Sequence, residues 1–152
     1  MAPRWGASRR AVASPFVNRT FIICKPDAVE RGCVGQILDR FERKGLKLVA
    51  AELRQLDEDT LARHYAEHTE KPFYGELVSF MSRSPAFLAV VEGPDDTYAI
   101  VRTMMGPTNP AEAPPGTIRG DLGTVMTENL VHGSDSAESA AREIAIFFPA
   151  LA

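Results

Sequence analysis

Cysteine, tryptophan and long apolar runs are scarce in this sequence of 152 residues. Its two cysteines, Cys24 and Cys33, are too few for a disulfide framework, and no CxxC or Cys/His cluster indicates a structural zinc site. The longest apolar run, at residues 86–91, is about a third of a membrane span. The sequence therefore predicts a protein of a reducing, cytoplasmic compartment that does not cross a membrane.

A strong excess of one charge is also absent, because 17 basic side chains stand against 20 acidic ones. The net charge of −3 provides no bulk attraction to nucleic acid or to an anionic membrane, and neither is an expected partner.

The start of the chain differs, since residues 1–26 contain five basic and no acidic side chains. Residues 1–17 are predicted to be a disordered basic tail, with a targeting segment or a misassigned start as alternatives. Residues 18–152 suit one domain.

The two common glycine-rich phosphate motifs are missing. No Gly-x-x-x-x-Gly-Lys-Ser/Thr occurs, and no Gly-x-Gly-x-x-Gly follows a predicted strand. A phosphate site in this chain would therefore be built from side chains rather than from a glycine-rich backbone loop.

Short apolar runs alternating with helical periods predict an α+β fold. The runs predict strands at residues 20–24, 46–53, 86–91 and 129–131. Helical spacing predicts helices between the strands, including a pair in residues 57–81. This order favours a ferredoxin-like sandwich of a four-stranded antiparallel sheet with helices, plus an inserted helical hairpin. Residues 106–127, with four prolines and four glycines, are predicted to form a long Pro/Gly loop.

His132 is the first candidate for chemistry, because it follows the last predicted strand and precedes a Gly-Ser-Asp turn. A neutral imidazole is nucleophilic near neutral pH and can accept a phosphoryl group. Glu143 lies on the next predicted helix, where it is placed to fold back and orient the ring. From spacing alone, a capping or packing role for His132 stays open. His64 and His68 are spaced for a metal on one helix, but without a third ligand nearby a packing or surface role is favoured.

Three basic residues are the second indication of a phosphate site. Lys25 follows the first predicted strand directly, and Arg102 lies near the end of a predicted helix. Arg119 lies in the Pro/Gly loop. Each one alone suits a solvated surface. Together with His132 they would supply the positive field that phosphoryl transfer requires.

Several segments of the sequence resemble the nucleoside diphosphate kinase family. They are Thr20-Phe-Ile-Ile-Cys-Lys-Pro-Asp-Ala-Val29, Arg31-Gly32, Asn109-Pro110, Pro115-Gly-Thr-Ile-Arg-Gly-Asp121 and Asn129-Leu-Val-His-Gly-Ser-Asp-Ser136. They occur in the family's order, and the resemblance, closest to the shorter bacterial members, extends from about residue 20 to residue 148. The segment Asn-x-x-His-Gly-Ser-Asp is highly specific to the family, and it makes His132 the expected nucleophile.

The resemblance implies transfer of the γ-phosphate of a nucleoside triphosphate to a nucleoside diphosphate. The mechanism would be ping-pong, through a phosphohistidine on the pros nitrogen of His132, with Ser134 and Glu143 as supporting residues. ATP and other nucleoside tri- and diphosphates would be the substrates, and Mg²⁺ would arrive with their phosphates rather than bind a site made by protein alone. The substrate-binding residues implied are Lys25, Tyr65, Phe73, Arg102, Thr108, Arg119, Met126 and Asn129.

Base recognition and assembly follow from the same resemblance. Phe73 and Met126 would contact the two faces of the base, which predicts broad nucleotide specificity. Glu128 stands where many members have a basic residue, and its effect stays open. The Pro/Gly loop would be supported by neighbouring subunits, so a closed homo-oligomer is expected, a hexamer or alternatively a tetramer.

Two other functions compete with this interpretation. In the first, the same phosphohistidine would pass its phosphate to other proteins, and the sequence does not separate this function from the main one. In the second, the chain would be a non-catalytic, ferredoxin-like regulatory module. The presence of Lys25, Arg119 and His132 together disfavours the second alternative.

Overall fold

A four-stranded antiparallel sheet organises residues 18–152, the part of the chain described by the structure, a computed structural model. The strands are β1 (Arg19–Cys24), β2 (Lys47–Arg54), β3 (Ala86–Glu92) and β4 (Val131–Gly133), in the order β2-β3-β1-β4. β1 and β3 are apolar along most of their length because both faces of the sheet are covered at its centre. β2 and β4 are the edge strands.

Seven α-helices accompany the sheet within this part of the chain. They are α1 (Pro26–Glu30), α2 (Val34–Arg43), α3 (Glu58–His64), α4 (Tyr74–Ser82), α5 (Thr97–Met105), α6 (Ile118–Leu122) and α7 (Ala137–Phe147). Short 3₁₀ turns occur at Pro110–Glu112 and Pro149–Leu151. Strand order and helix placement confirm the predicted ferredoxin-like α+β sandwich, with α3 and α4 as its inserted hairpin. The predicted basic tail lies outside the described residues, and none of the described helices is long and apolar enough to span a membrane.

Alternation along β1 divides the core between the two faces of the sheet. Ile22 and Cys24 point into a cluster that includes Ile37 and Phe41 of α2. Phe21 and Ile23 point to the other face, where α3, α4 and α7 supply the packing residues. His132, which pairs with Ile23, lies on the same side of the sheet as α7.

The predicted position of β4 was wrong by two residues. The apolar pattern predicted a strand at 129–131, but the observed strand is Val131–Gly133, so His132 lies within it rather than after it. The reason is local backbone geometry: Leu130 has a φ of +74°, which interrupts an extended conformation before Val131. α7 begins after β4, where the Ser136 side chain caps it by accepting a hydrogen bond from Ser139 N.

The structure places two short regular elements within the predicted Pro/Gly loop at residues 106–127. This segment contains the 3₁₀ turn and α6, whose first turns are capped by the side chains of Asn109 and Thr117. Arg40 of α2 reaches across to it, donating to Gly116 O at 3.0 Å and to Asp121 Oδ2 at 2.6 Å. Elements of three and five residues are too short to produce a hydrophobic period. Contacts within the chain therefore hold much of this segment.

Truncating Phe41 is expected to destabilise the domain strongly. The side chain is fully buried in the cluster between α2 and the sheet, so Phe41→Ala should lower the free energy of unfolding by about 3–5 kcal/mol. Val125→Ala, at a half-exposed position, is the control and should change it by less than about 0.5 kcal/mol. Urea denaturation measures both. Equal losses in the two variants would contradict this account of the core.

Candidate active site

His132 lies at the centre of β4, where it pairs with Ile23 of β1, and its side chain is 25% exposed. Its Nε2 lies 2.5 Å from Oε1 of Glu143, which is buried on α7. An ionised carboxylate can only accept, so the proton of the neutral ring lies on Nε2. Nδ1 then keeps its lone pair, and it has no hydrogen-bond partner within residues 18–152. The pair thus prepares one ring nitrogen as a nucleophile.

A cavity of about 420 Å³ opens beside this ring. Its wall combines the His132–Glu143 pair with side chains of the α3 end, α5 and α7. The main side chains of the wall are His64, Tyr65, Glu67, His68, Arg102, Asp135, Ser139 and Arg142. This volume is large enough for a small polar ligand, and the wall combines basic and acidic side chains with the imidazole.

The free edge of β4 is covered by two arginines. Arg119, only 5% exposed, donates from Nε to Asn129 O at 3.2 Å, from Nη1 to Gly106 O at 2.9 Å and from Nη2 to Val131 O at 2.6 Å. Arg102 donates from Nη1 to Gly133 O at 2.9 Å. Burial and the neighbouring Arg102 charge lower the pKa of Arg119 to about 10, so it stays cationic at neutral pH. A guanidinium has five N–H groups, so Arg119 retains two for a ligand.

Lys25 and Asn129 connect the end of β1 to the segment that enters β4. Lys25 Nζ donates to Asn129 Oδ1 at 2.8 Å, and Asn129 Nδ2 donates to the carbonyl of Thr108 at 3.0 Å. Burial, and next the charge of Arg119, lower the pKa of Lys25 to about 8. Lys25 is thus a cation held in an unfavourable environment, which a phosphate would relieve.

The side chains of four predicted site residues neither line the cavity nor join the hydrogen-bond network. Phe73 and Met126 are 47% and 59% exposed and do not line the cavity. The Thr108 side chain is exposed, and only its backbone carbonyl joins the network. The Ser134 hydroxyl is fully buried and has no partner in the described part of the chain. Of the predicted set, Tyr65, Arg102, His132 and Glu143 share the cavity, and Lys25, Arg119 and Asn129 form the network next to it.

Sequence reasoning missed several residues of the site. His64 is 5% exposed, and its ring centroid lies 4.8 Å from that of His132 at an interplanar angle of 86°. Burial, followed by nearby positive charge, lowers the pKa of His64 to about 2, so the ring is neutral. Asp27 is buried and accepts from Leu130 N at 3.1 Å, which supports the turn before β4. Asp27 lies within one of the quoted motif segments, and His64 was considered only for its spacing to His68.

Comparison with known proteins identifies the family. The family model described as "Nucleoside diphosphate kinase" matches residues 18–152. The chain belongs to the nucleoside diphosphate kinase family. The resemblance found in the sequence motifs is therefore confirmed.

Curated relatives agree with this assignment. A nucleoside diphosphate kinase from Bacillus licheniformis is 54% identical over 132 residues, which cover 87% of this chain and 88% of the relative. One from Staphylococcus haemolyticus is 53% identical with the same coverage. Both are bacterial, in agreement with the expected resemblance to the shorter bacterial members. The predicted activity is confirmed: this chain is a nucleotide-binding kinase that transfers phosphate between nucleotides.

Solved structures of nucleoside diphosphate kinases have the same fold. A family protein from Babesia bovis has a TM-score of 0.83 and 50% identity, covering 86% of this chain and 88% of its own. The enzyme from Halobacterium salinarum, solved in complex with CDP, has a TM-score of 0.83 and 48% identity, covering 87% and 88%. The kinase fold assigned to this chain therefore rests on sequence and structure together.

Lys25 of the kinase is expected to lose its proton near pH 8. Its pKa is lower in the folded protein than the ordinary value of 10.5, so above pH 8 the unfolded chain binds more protons. The free energy of unfolding should therefore rise with pH between about 8 and about 10.5 and be smaller below that range. NMR of ¹³C-labelled lysine side chains measures the midpoint, and Lys25→Met removes both the signal and this component of the pH dependence. A Lys25 midpoint above pH 10 would contradict the description of the network.

Proposed function

We propose that Nδ1 of His132 carries the phosphoryl group between nucleotides. The hydrogen bond between His132 Nε2 and buried Glu143 is the observation that carries this proposal. In the first half-reaction the Nδ1 lone pair forms a bond to the γ-phosphorus, and the bond from phosphorus to the bridging oxygen breaks. The nucleoside diphosphate leaves with that electron pair. The ring keeps its Nε2 proton, and the Glu143 carboxylate balances the positive charge that develops on it.

The second half-reaction is the reverse of the first with another nucleotide. A terminal phosphate oxygen of the incoming nucleoside diphosphate attacks the phosphorus, and the electron pair of the P–N bond returns to Nδ1. Because both half-reactions move the same group between an anhydride oxygen and one imidazole, one cavity serves donor and acceptor in turn.

Phosphate binding is assigned to the basic side chains around the ring. Arg102 lines the cavity, and Arg119 and Lys25 lie in the adjoining network with N–H groups to spare. The Tyr65 and Thr108 hydroxyls add neutral donors. Asn129, already bonded to Lys25, is placed to join it on the ribose hydroxyls. We retain Ser134 as a supporting residue of the β4 backbone, consistent with its complete burial.

Base binding is assigned to the exposed side chains Phe73 and Met126. Solvent exposure leaves the face of the ring and the thioether free for stacking. Stacking reads the face of a base rather than its edge, so purines and pyrimidines should both be accepted.

Magnesium is proposed to accompany the nucleotide, where it would neutralise phosphate charge during the transfer. The carboxylates of Glu67 and Asp135 are hard oxygen donors on the cavity wall, and they fit a hydrated Mg²⁺ on a phosphate. The protein's own basic side chains bind the remaining phosphate oxygens.

Self-association and a cytoplasmic location complete the proposal. β2 is an edge strand with a half-exposed Leu53, a surface suited to pairing with a second copy. We propose a closed homo-oligomer, a hexamer with a tetramer as the alternative. Cys24 and Cys33 are free and buried, which fits a reducing compartment.

The nucleophile is tested by following the label from γ-³²P-ATP. The wild-type protein should acquire an acid-labile, alkali-stable label that added nucleoside diphosphate discharges. His132→Ala should lose the label and at least about three decades of turnover, since no other group supplies the bond to phosphorus. Glu143→Gln keeps the shape of the side chain but fixes the tautomer of the His132 ring less firmly. This variant should still acquire the label, with a rate of labelling reduced by about 10–100-fold.

His68→Ala is the matched control for the label. His68 is another histidine on the wall of the same cavity, but it is not the proposed nucleophile. Its substitution should therefore leave the label on the protein. If His132→Ala stays labelled while His68→Ala does not, the nucleophile has been assigned to the wrong histidine.

Pro110 provides the test of assembly. Pro110 is buried against Gly123 at the end of α6, so Pro110→Ser should loosen the segment proposed to contact neighbouring subunits. Sedimentation at micromolar concentration should give a closed oligomer for the wild type and partial dissociation for Pro110→Ser. Pro114→Ser, at an exposed proline nearby, should sediment as the wild type does. A fully active wild-type monomer would reject the proposed assembly.

A further inference from the structure

Three ligand-type side chains converge at the inner end of the cavity. One donor atom each from His64, His132 and Glu143 lies within 4.8 Å of the others. His64 Nδ1 is 4.0 Å from Glu143 Oε1, and His132 Nε2 is 2.5 Å from the same oxygen. Both ring nitrogens of His64 are buried without a hydrogen-bond partner in residues 18–152. Two further ligands for His64 thus come from β4 and α7, and His68 is not part of this group.

We propose that His64, His132 and Glu143 bind a divalent transition-metal ion of the zinc class, and that this ion blocks phosphorylation of His132. The binding claim is independent of the function proposed above. The blocking claim rests on it, because it assumes that Nδ1 of His132 is the nucleophile.

The donor set fits zinc better than magnesium. Two imidazoles and one carboxylate match the nitrogen and oxygen ligands that Zn²⁺ takes, whereas Mg²⁺ prefers oxygen ligands alone. At metal–ligand distances of about 2.0–2.1 Å, two ligands of a tetrahedral ion are about 3.3 Å apart. The 2.5 Å contact therefore has to open, and the 4.0 Å contact has to close, each by less than about 1 Å. The remaining separation, between His64 and His132, is at most 4.8 Å and has to close by no more than about 1.5 Å. The cavity leaves the fourth position open to solvent.

The charges around the three ligands limit the expected affinity without preventing binding. Glu67, Asp135 and Glu143 provide three carboxylates on the cavity wall, while Arg102 and Arg142 provide two guanidinium groups. The carboxylates outnumber the guanidinium groups, which favours the binding of a cation. The guanidinium groups repel the bound metal ion and lower its affinity. Micromolar rather than nanomolar binding is expected.

The block follows from proton counting on the His132 ring. A neutral imidazole has one N–H and one lone pair. In the metal-free protein the proton is on Nε2, bonded to Glu143, and Nδ1 has the lone pair. An ion bound at Nε2 takes the lone pair there, so the single proton moves to Nδ1 through solvent in the cavity. Nδ1–H cannot attack phosphorus, so the metal-bound form cannot be phosphorylated.

Metal binding is tested first without nucleotide. Calorimetric titration of the full chain with ZnCl₂ should give one site, with an affinity lowered at least 10-fold in both His64→Phe and His64→Asn. The first variant preserves a ring among the aromatic neighbours Phe21, Tyr65 and Phe147, and the second keeps a polar group. Circular dichroism verifies that each variant is folded. His68→Phe is the control and should bind as the wild type does. Unchanged affinity in a folded His64 variant, or an equal loss in His68→Phe, overturns the site.

The block is tested by measuring the rate at which γ-³²P-ATP labels the protein in excess Mg²⁺, with and without Zn²⁺. The rate of each variant with Zn²⁺ is compared with the rate of the same variant without Zn²⁺. Zinc should slow labelling of the wild type at least 10-fold and of the His64 variants less than twofold. Phosphoenzyme prepared beforehand should discharge its first phosphate to nucleoside diphosphate at the zinc-free rate. Zinc that binds at one site without slowing the labelling overturns the block. A zinc-free protein that never labels His132 rejects the proposed function, while the calorimetry still decides the site.

Discussion

The free edge of β4 is closed by guanidinium groups rather than by another strand, and the position of the nucleophile depends on this arrangement. On its inner side β4 pairs with β1, and Leu130 O and Ser134 N extend that pairing beyond the strand. The outward carbonyls of Val131 and Gly133 accept instead from Arg119 and Arg102. A strand of three residues with unsatisfied carbonyls would be costly to bury. The same side chains that complete the strand therefore place two positive charges beside the cavity.

The hydrogen bonds from Arg119 and Arg102 to β4 thus both complete the strand edge and set the charge around the site. Arg119 and Lys25 are both cations in partly desolvated places, and each has a lowered pKa because burial and a neighbouring cation disfavour its charge. A dianionic or trianionic phosphate relieves that repulsion when it binds. Glu143 is held apart from this cationic group, since it is buried on α7 and bonded to Nε2 of the imidazole. The site accordingly separates the cations proposed to bind phosphate from the carboxylate that is bonded to the ring.

Elements with many residues could be predicted from the sequence, and short ones could not. β1 was found because five consecutive residues, 20–24, are β-branched, aromatic or apolar, and α2 because its apolar side chains repeat over ten residues. β4 and α6 have three and five residues, and backbone features such as the positive φ of Leu130 decide their limits. Glu143 could be predicted from its helix, but His64 could not, because its partners come from two distant elements. Tertiary contact, rather than local pattern, completes the site.

The pairing of β1 with β4 joins the two ends of the domain. Lys25 and Asn129, which meet through a hydrogen bond, are 104 residues apart in the sequence. Closing so long a loop costs conformational entropy, and this loss is compensated only after the intervening helices have packed. During synthesis β1 is made early, and its partner β4 is made only after almost the entire domain. A nascent or truncated chain therefore contains the lysine without the histidine motif, and it cannot consume nucleoside triphosphate before folding is nearly complete.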